Sequence, residues 1–299
     1  MAAPPPQTII FLHIPKTAGT TLYEIFKANY HPAQIYNREF SGDDGASAFI
    51  NLSVERRTAI RLLWGHFPFG LHQYLPGPST YFTFLRDPVE RVISHYYYLY
   101  SHPEMFWIPE EIREKNLTLH EVLEREMIVD IKNMYTRLFA GLPYLFPAEG
   151  YTEQHLQMAR RNLQNYFSVV GLVERFDESL LLLQKAYGWH NIYYVQDNVN
   201  RQRPGREMIP PETIALIEQQ NAFDIQLYRF GQELFANQVA QQGASFSQEV
   251  RRFQLRNKMW GGPKIKLKRW THQPFTYLAI RKRLGQMVGK KIDAPSPGE

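Results

Sequence analysis

Short apolar runs alternate along most of the chain with stretches whose apolar residues recur at helical spacing. Thr8 to His13 (TIIFLH) is such a run, followed by a loop containing Pro15 and Gly19, and then by TTLYEIFKANY with helical periodicity. The pattern predicts strand, loop and helix. Ser79 to Leu85 (STYFTFL) and Asp87 to Tyr100 repeat it, with Asp87 as N-cap, Pro88 at the first helical position and Glu90 as the acid of a capping box. A strand is predicted at Ile60 to Trp64, helices near 118–139 and 153–165, a strand at Phe167 to Gly171 and a helix at Asp177 to Tyr187. Asn191 to Val195 reads as a further strand, Asn198 to Arg206 as a polar loop, and Pro211 to Ala236 as one long helix. Such alternation predicts an α/β fold with a central parallel sheet covered by helices.

The pattern fades towards the C-terminus. Residues 251–291 hold 13 Lys and Arg with no Asp or Glu, which leaves 21 basic against 29 acidic residues elsewhere. The net charge of +5 is therefore a basic tail on a mildly acidic body, and it does not argue for a nucleic-acid partner. Residues 1–242 are expected to form one domain, and 243–299 a basic appendage that is partly ordered at best. Contact of this tail with an anionic membrane surface is a further expectation. There is no cysteine, which removes disulfides and thiolate metal sites and fits a reducing, cytoplasmic setting. The N-terminal apolar run is too short for a signal or a membrane span, so a soluble or peripherally bound protein is expected.

The loop HIPKTAGTT, residues 13–21, lies where a strand hands over to a helix. Backbone N–H groups at such a junction form an anion cradle, reinforced by the helix dipole. Pro15, Lys16, Thr17, Ala18, Gly19, Thr20 and Thr21 are its candidate binding residues. Lys16 supplies a mobile cation, the threonines supply hydroxyls, and Gly19 allows close approach. A nucleoside-triphosphate P-loop requires G-x-x-x-x-G-K-[ST], whereas Lys16 here precedes the glycine.

Two further signals lie downstream. In FLRDPVERVISHY, residues 84–96, Arg86 leaves a strand end and Ser94 lies two turns into the next helix, a pair that can grip a phosphate from two sides. In Trp64-Gly65-His66-Phe67, a histidine follows a predicted strand end, and histidine is the usual general base for a hydroxyl near neutral pH. His13 is expected to order the loop, His95 to pack or face water, and most of Tyr96, Tyr97, Tyr98 and Tyr100 to pack along the helix.

Together these segments resemble the family 2 carbohydrate sulfotransferases, in particular their heparan sulfate 6-O-sulfotransferase branch, over about residues 8–236. HIPKTAGTT matches the family's HIxKTxGTT loop, Leu85 to Arg91 its LRDPVxR segment with Ser94 in register, and His66 its base histidine. Asn133 and Arg137 fall in its N-x-x-x-R-x-L pattern; GLVERFDESLLLLQ and NAFDIQLYRFGQELF resemble its later helices.

The resemblance implies a P-loop-like three-layer sandwich that binds 3'-phosphoadenosine 5'-phosphosulfate (PAPS) as co-substrate, without a metal. It implies the 5'-phosphosulfate on the loop, the 3'-phosphate on Arg86 and Ser94, and sulfuryl transfer to a hydroxyl acceptor, expected to be a glycan or glycoconjugate. His66 would act as catalytic base and Lys16 would stabilise charge on the leaving side. A non-catalytic nucleotide- or glycan-binding protein of the same fold and a P-loop kinase are the alternative readings.

Overall fold

A computed structural model describes residues 7–38, 47–102, 110–143, 150–195, 203–263 and 265. Five parallel strands form one sheet in the order β2-β3-β1-β4-β5: β1 (Thr8–Leu12), β2 (Ile35–Arg38), β3 (Leu62–Gly65), β4 (Ser79–Leu85) and β5 (Phe167–Leu172). Every residue of β1 and β3 is buried, as continuous apolar strands covered on both faces must be.

Twelve α-helices lie among the described residues. The first six are α1 (Gly19–Asn29), α2 (Ser47–Ile50), α3 (Val54–Ala59), α4 (Pro88–Ser101), α5 (Glu111–Glu114) and α6 (Leu119–Glu124). The rest are α7 (Met134–Ala140), α8 (Glu153–Tyr166), α9 (Phe176–Tyr187), α10 (Pro211–Gln220), α11 (Ala222–Ala240) and α12 (Phe246–Arg256).

Alternation along β4 sorts the layers, because successive side chains leave opposite faces. On one face Phe82 meets Phe26 of α1 and Tyr187 of α9, and Phe84 meets Phe176 of α9. On the other, Tyr81 stacks with Phe167, which packs on Phe139 of α7, and Leu85 lies under Gly231 of α11. A Cβ at Gly231 would sit 2.3 Å from Leu85 Cδ1, so glycine lets α11 lie close to the sheet. The expected three-layer α/β sandwich is thus what the chain forms. A second apolar cluster joins α4, α5, α6 and α10 through residues such as Val92, Ile93, Val122 and Ile217.

Several expected elements differ. The helix near 118–139 is broken into α6 and α7, because Glu126 and Asn133 adopt left-handed conformations, φ 53° and 39°. The long helix from Pro211 divides at Asn221, whose Oδ1 accepts the N–H of Asn133 at 3.0 Å. Residues 191–195 form no strand. Their backbone is held by side chains instead: Asn29 Nδ2 donates to Asn191 O at 2.7 Å, and Tyr194 N donates to Asn257 Oδ1 at 2.9 Å. Sheet edge β2 was absent from the predicted pattern.

The expected boundary at residue 242 also moves. In α12, Phe246, Val250 and Phe253 are buried in the main core, and Phe253 stacks on Tyr193 at 5.9 Å. The segment from 243 to 256 therefore belongs to the folded body. The basic stretch from 266 onward, and residues 196–202 of the predicted polar loop, lie outside the described residues. No helix among the described residues is long and apolar enough to cross a membrane.

Candidate active site

The loop between β1 and α1 is shaped by its backbone before any side chain is considered. Lys16 and Ala18 both have left-handed conformations, φ 72° and 67°, each costing roughly 1–3 kcal/mol for a residue with a Cβ. Turns of this kind aim successive N–H groups into one concavity. Ala18 is the N-cap of α1 and offers no side-chain acceptor, so the first-turn N–H groups keep their partial positive charge.

The predicted loop residues divide by role. Thr17 is buried and its Oγ1 donates to Ile14 O at 2.8 Å, so it closes the turn and does not present a hydroxyl to an anion. Thr20 is exposed and Thr21 half-buried in the first turn of α1, while Pro15, Lys16 and Ala18 are half-buried. Gly19 makes room for a side chain, not for a ligand: a Cβ there would lie 2.1 Å from His13 Cε1.

Three cations converge on this loop. Lys16 Nζ lies 3.5 Å from the centroid of the Tyr98 ring on α4. Arg86 follows β4, and its backbone is clamped by Tyr135, whose hydroxyl accepts from Arg86 N at 3.2 Å and donates to Arg86 O at 2.6 Å. Arg86 Nη1 reaches Lys16 O at 3.5 Å, and its Nη2 lies 3.4 Å from Glu90 Oε2. Arg203 Nη2 bonds the same Glu90 oxygen, and Arg203 Nε is buried without a partner among the described residues. Burial, then the charges of Arg86 and Arg203, bring the Lys16 ammonium down to about 7. The face of Tyr98 favours the ammonium form, but the two guanidinium groups and desolvation outweigh it. Ser94 is half-buried one turn beyond Glu90, on the same side of α4.

Glu90 does not serve as the expected capping acid. Asp87 Oδ1 accepts Glu90 N at 3.0 Å as predicted, but the reciprocal bond to Asp87 N comes from Glu174 Oε1 at 2.8 Å. The Glu90 carboxylate is thereby released to the arginines.

His66 follows the end of β3. Its Nδ1 is 2.8 Å from His13 O, and its ring stacks on His13 at 4.5 Å between centroids and 28° between planes. A carbonyl can only accept, so Nδ1 carries the proton and Nε2 the lone pair. Burial lowers the His66 pKa, opposed by the His13 carbonyl and by the charge of Asp130. Asp130 pairs with Arg137 at 2.8 Å. Burial pushes its carboxyl up, but the charges of Arg137 and then His95 outweigh this and hold it low. His95 is buried, and desolvation drives it down to about 3. The site thus contains a neutral, tautomer-fixed imidazole beside a cationic cradle.

Arg203 and Asp130 were not singled out from the sequence, and Glu90 and Tyr98 were read there only as a capping acid and as helix packing. Arg203 sits in the predicted polar loop, and its basic character was the one available signal. Asn133 and Arg137 act behind the site: Asn133 Oδ1 accepts from Phe223 N and Asp224 N, each at 3.2 Å, and Arg137 binds Asp130.

The mouse galactosylceramide sulfotransferase is 25% identical over 272 residues, covering 79% of this chain and 62% of that protein. Human galactose-3-O-sulfotransferase 3 is 26% identical over 266 residues, covering 80% and 59%. Heparan sulfate 2-O-sulfotransferase hst-2 of Caenorhabditis elegans is 26% identical over 191 residues, covering 59% of each. The chain spans about three fifths of the length of these relatives. A sequence profile described as Galactose-3-O-sulfotransferase matches residues 1–261, and so the chain belongs to the galactose-3-O-sulfotransferase family.

Proposed function

We propose that this protein transfers a sulfuryl group from PAPS to a sugar hydroxyl. The observation that carries the reading is the convergence of Lys16, Arg86 and Arg203 on the left-handed loop ahead of α1, beside a histidine whose tautomer is set by His13 O. The loop, the start of α1 and Lys16 form one anion position, suited to a 5'-phosphosulfate. Arg86, Arg203 and Ser94 form a second, suited to a 3'-phosphate, and the buried Arg203 Nε calls for an acceptor there.

When bound, the donor supplies a sulfuryl group that moves to the acceptor oxygen as its bond to the phosphate oxygen breaks. His66 Nε2 takes the acceptor proton. Lys16 and the N–H groups of the loop meet the charge that grows on the departing phosphate, so the scheme needs no metal.

The family match favours the 3-hydroxyl of galactose as acceptor. The motif resemblance to the 6-O branch and the likeness to a heparan sulfate 2-O-sulfotransferase put two other hydroxyl positions in the same assay. Purified protein should be incubated with labelled PAPS, galactosides and heparan-type oligosaccharides, and the sulfated position read by mass spectrometry. Nucleotide binding without transfer to any glycan would favour a non-catalytic binding protein. Magnesium-dependent consumption of ATP would favour a kinase, against which the order of Lys16 and Gly19 argues. A cytoplasmic, membrane-peripheral location is proposed from composition, and cell fractionation tests it.

A further inference from the structure

Glu90 holds a place that the proposed nucleotide also needs. Its Oε2 contacts Arg86 Nη2 at 3.4 Å and Arg203 Nη2 more closely, so a single carboxylate oxygen engages both guanidinium groups of the proposed 3'-phosphate position. The helix does not require this acid for capping, because Glu174 supplies the bond to Asp87 N. Glu90 side-chain exposure is 28%, and those of Arg86 and Arg203 are 19% and 15%, so the three meet where water screens poorly.

We propose that the Glu90 carboxylate competes with the 3'-phosphate of the nucleotide for Arg86 and Arg203, and thereby speeds loss of the spent nucleotide. The inference rests on the nucleotide reading above. A phosphate that binds these arginines must share or take their N–H groups and must lie beside a like charge. Both effects weaken binding of the donor and of the desulfated product alike. Turnover gains from this when product release is slow, since the carboxylate recaptures the arginines as the phosphate leaves.

The test is calorimetric binding of 3'-phosphoadenosine 5'-phosphate (PAP) and of AMP, which lacks the 3'-phosphate, to the wild type and to Glu90→Gln. The amide keeps the size of the side chain and removes its charge. PAP should bind the variant about tenfold or more tightly, as expected for removing one like charge beside a poorly screened anion. AMP affinity should stay unchanged, and PAP dissociation followed by stopped flow should slow in proportion. Glu90→Asp, whose shorter side chain draws the carboxylate back from the arginines, should shift PAP affinity in the same direction by less. Weaker or unchanged PAP binding by both variants would overturn the proposal and make Glu90 a strut that orients the arginines. A wild-type protein that binds PAP and AMP equally would remove the nucleotide reading itself, and the inference with it.

Discussion

His66 Nδ1 lies 2.8 Å from the backbone oxygen of His13, so the residue that opens the loop ahead of α1 also fixes the tautomer of the proposed base. Nε2 is left as the basic nitrogen whichever acceptor is bound.

His66→Ala should therefore lower transfer by about 100-fold to 10,000-fold, the range for losing a positioned general base, with PAP affinity nearly unchanged. Because burial lowers the His66 pKa, the imidazole is neutral at pH 7. The acid limb of the pH–rate profile should fall below the ordinary histidine value of about 6.5. Single-turnover rates across pH 5 to 8, in wild type and variant, check both points, and a variant that turns over at the parent rate removes His66 from the mechanism.

Lys16 titrates near 7, pulled down by burial and then by Arg86 and Arg203. An anionic nucleotide favours the ammonium form, so its binding raises this pKa and takes up a proton from solution at pH 7.5 to 8. Affinity should fall as pH rises above about 7. Calorimetry in buffers of different ionisation heat should detect the uptake in wild type, and Lys16→Met should lack it.

Asp224 Oδ2 accepts Tyr135 N, and Oδ1 accepts Thr136 N, both at 2.9 Å, while Thr136 Oγ1 donates to Oδ1 at 3.0 Å. Asp224→Ala strands these buried donors and should cost roughly 2–4 kcal/mol in urea unfolding. Since Tyr135 clamps the backbone of Arg86, PAP affinity should fall in the folded fraction as well. Asp224→Asn keeps an acceptor and should lose less on both counts.

Truncation after residue 242 removes α12 and with it Phe246, Val250 and Phe253 from the core, so the shortened protein should unfold or aggregate. Phe253→Ala alone should cost about 3–5 kcal/mol. Truncation after residue 263 should leave the thermal transition of the body in place. Scanning calorimetry of the two truncated forms separates these outcomes.

Elements marked by their own hydrophobic pattern and capping residues were legible in the sequence. The runs forming β1, β4 and β5 and the Asp87 cap of α4 follow from local pattern, and so does the loop at the junction of β1 and α1. Breaks set by distant partners were not legible. Asn221 ends a helix by meeting Asn133, and residues 191–195 trade a sheet ladder for bonds to Asn29 and Asn257. The site divides in the same way. Lys16, His66 and Arg86 stand at strand ends, where chemistry is expected, whereas Arg203 and Glu90 acquire their meaning from a contact across 113 residues. Gly19 was read as room for a ligand, and only the packed His13 ring shows what fills that room.

The reciprocal caps between Asn133 and Asp224 have a consequence for the order in which the protein matures. Asn133 caps the start of α11 and Asp224 caps the start of α7, across separations of 88 to 91 residues. Tyr135, which clamps Arg86, lies inside that exchange. During synthesis the loop ahead of α1, Lys16 and Arg86 leave the ribosome long before Asp224 does, and contacts so far apart in sequence form late. A nascent chain arrested before residue 224 should therefore carry the proposed donor-binding motifs yet fail to retain PAP, and retention should begin only once α11 has emerged and docked.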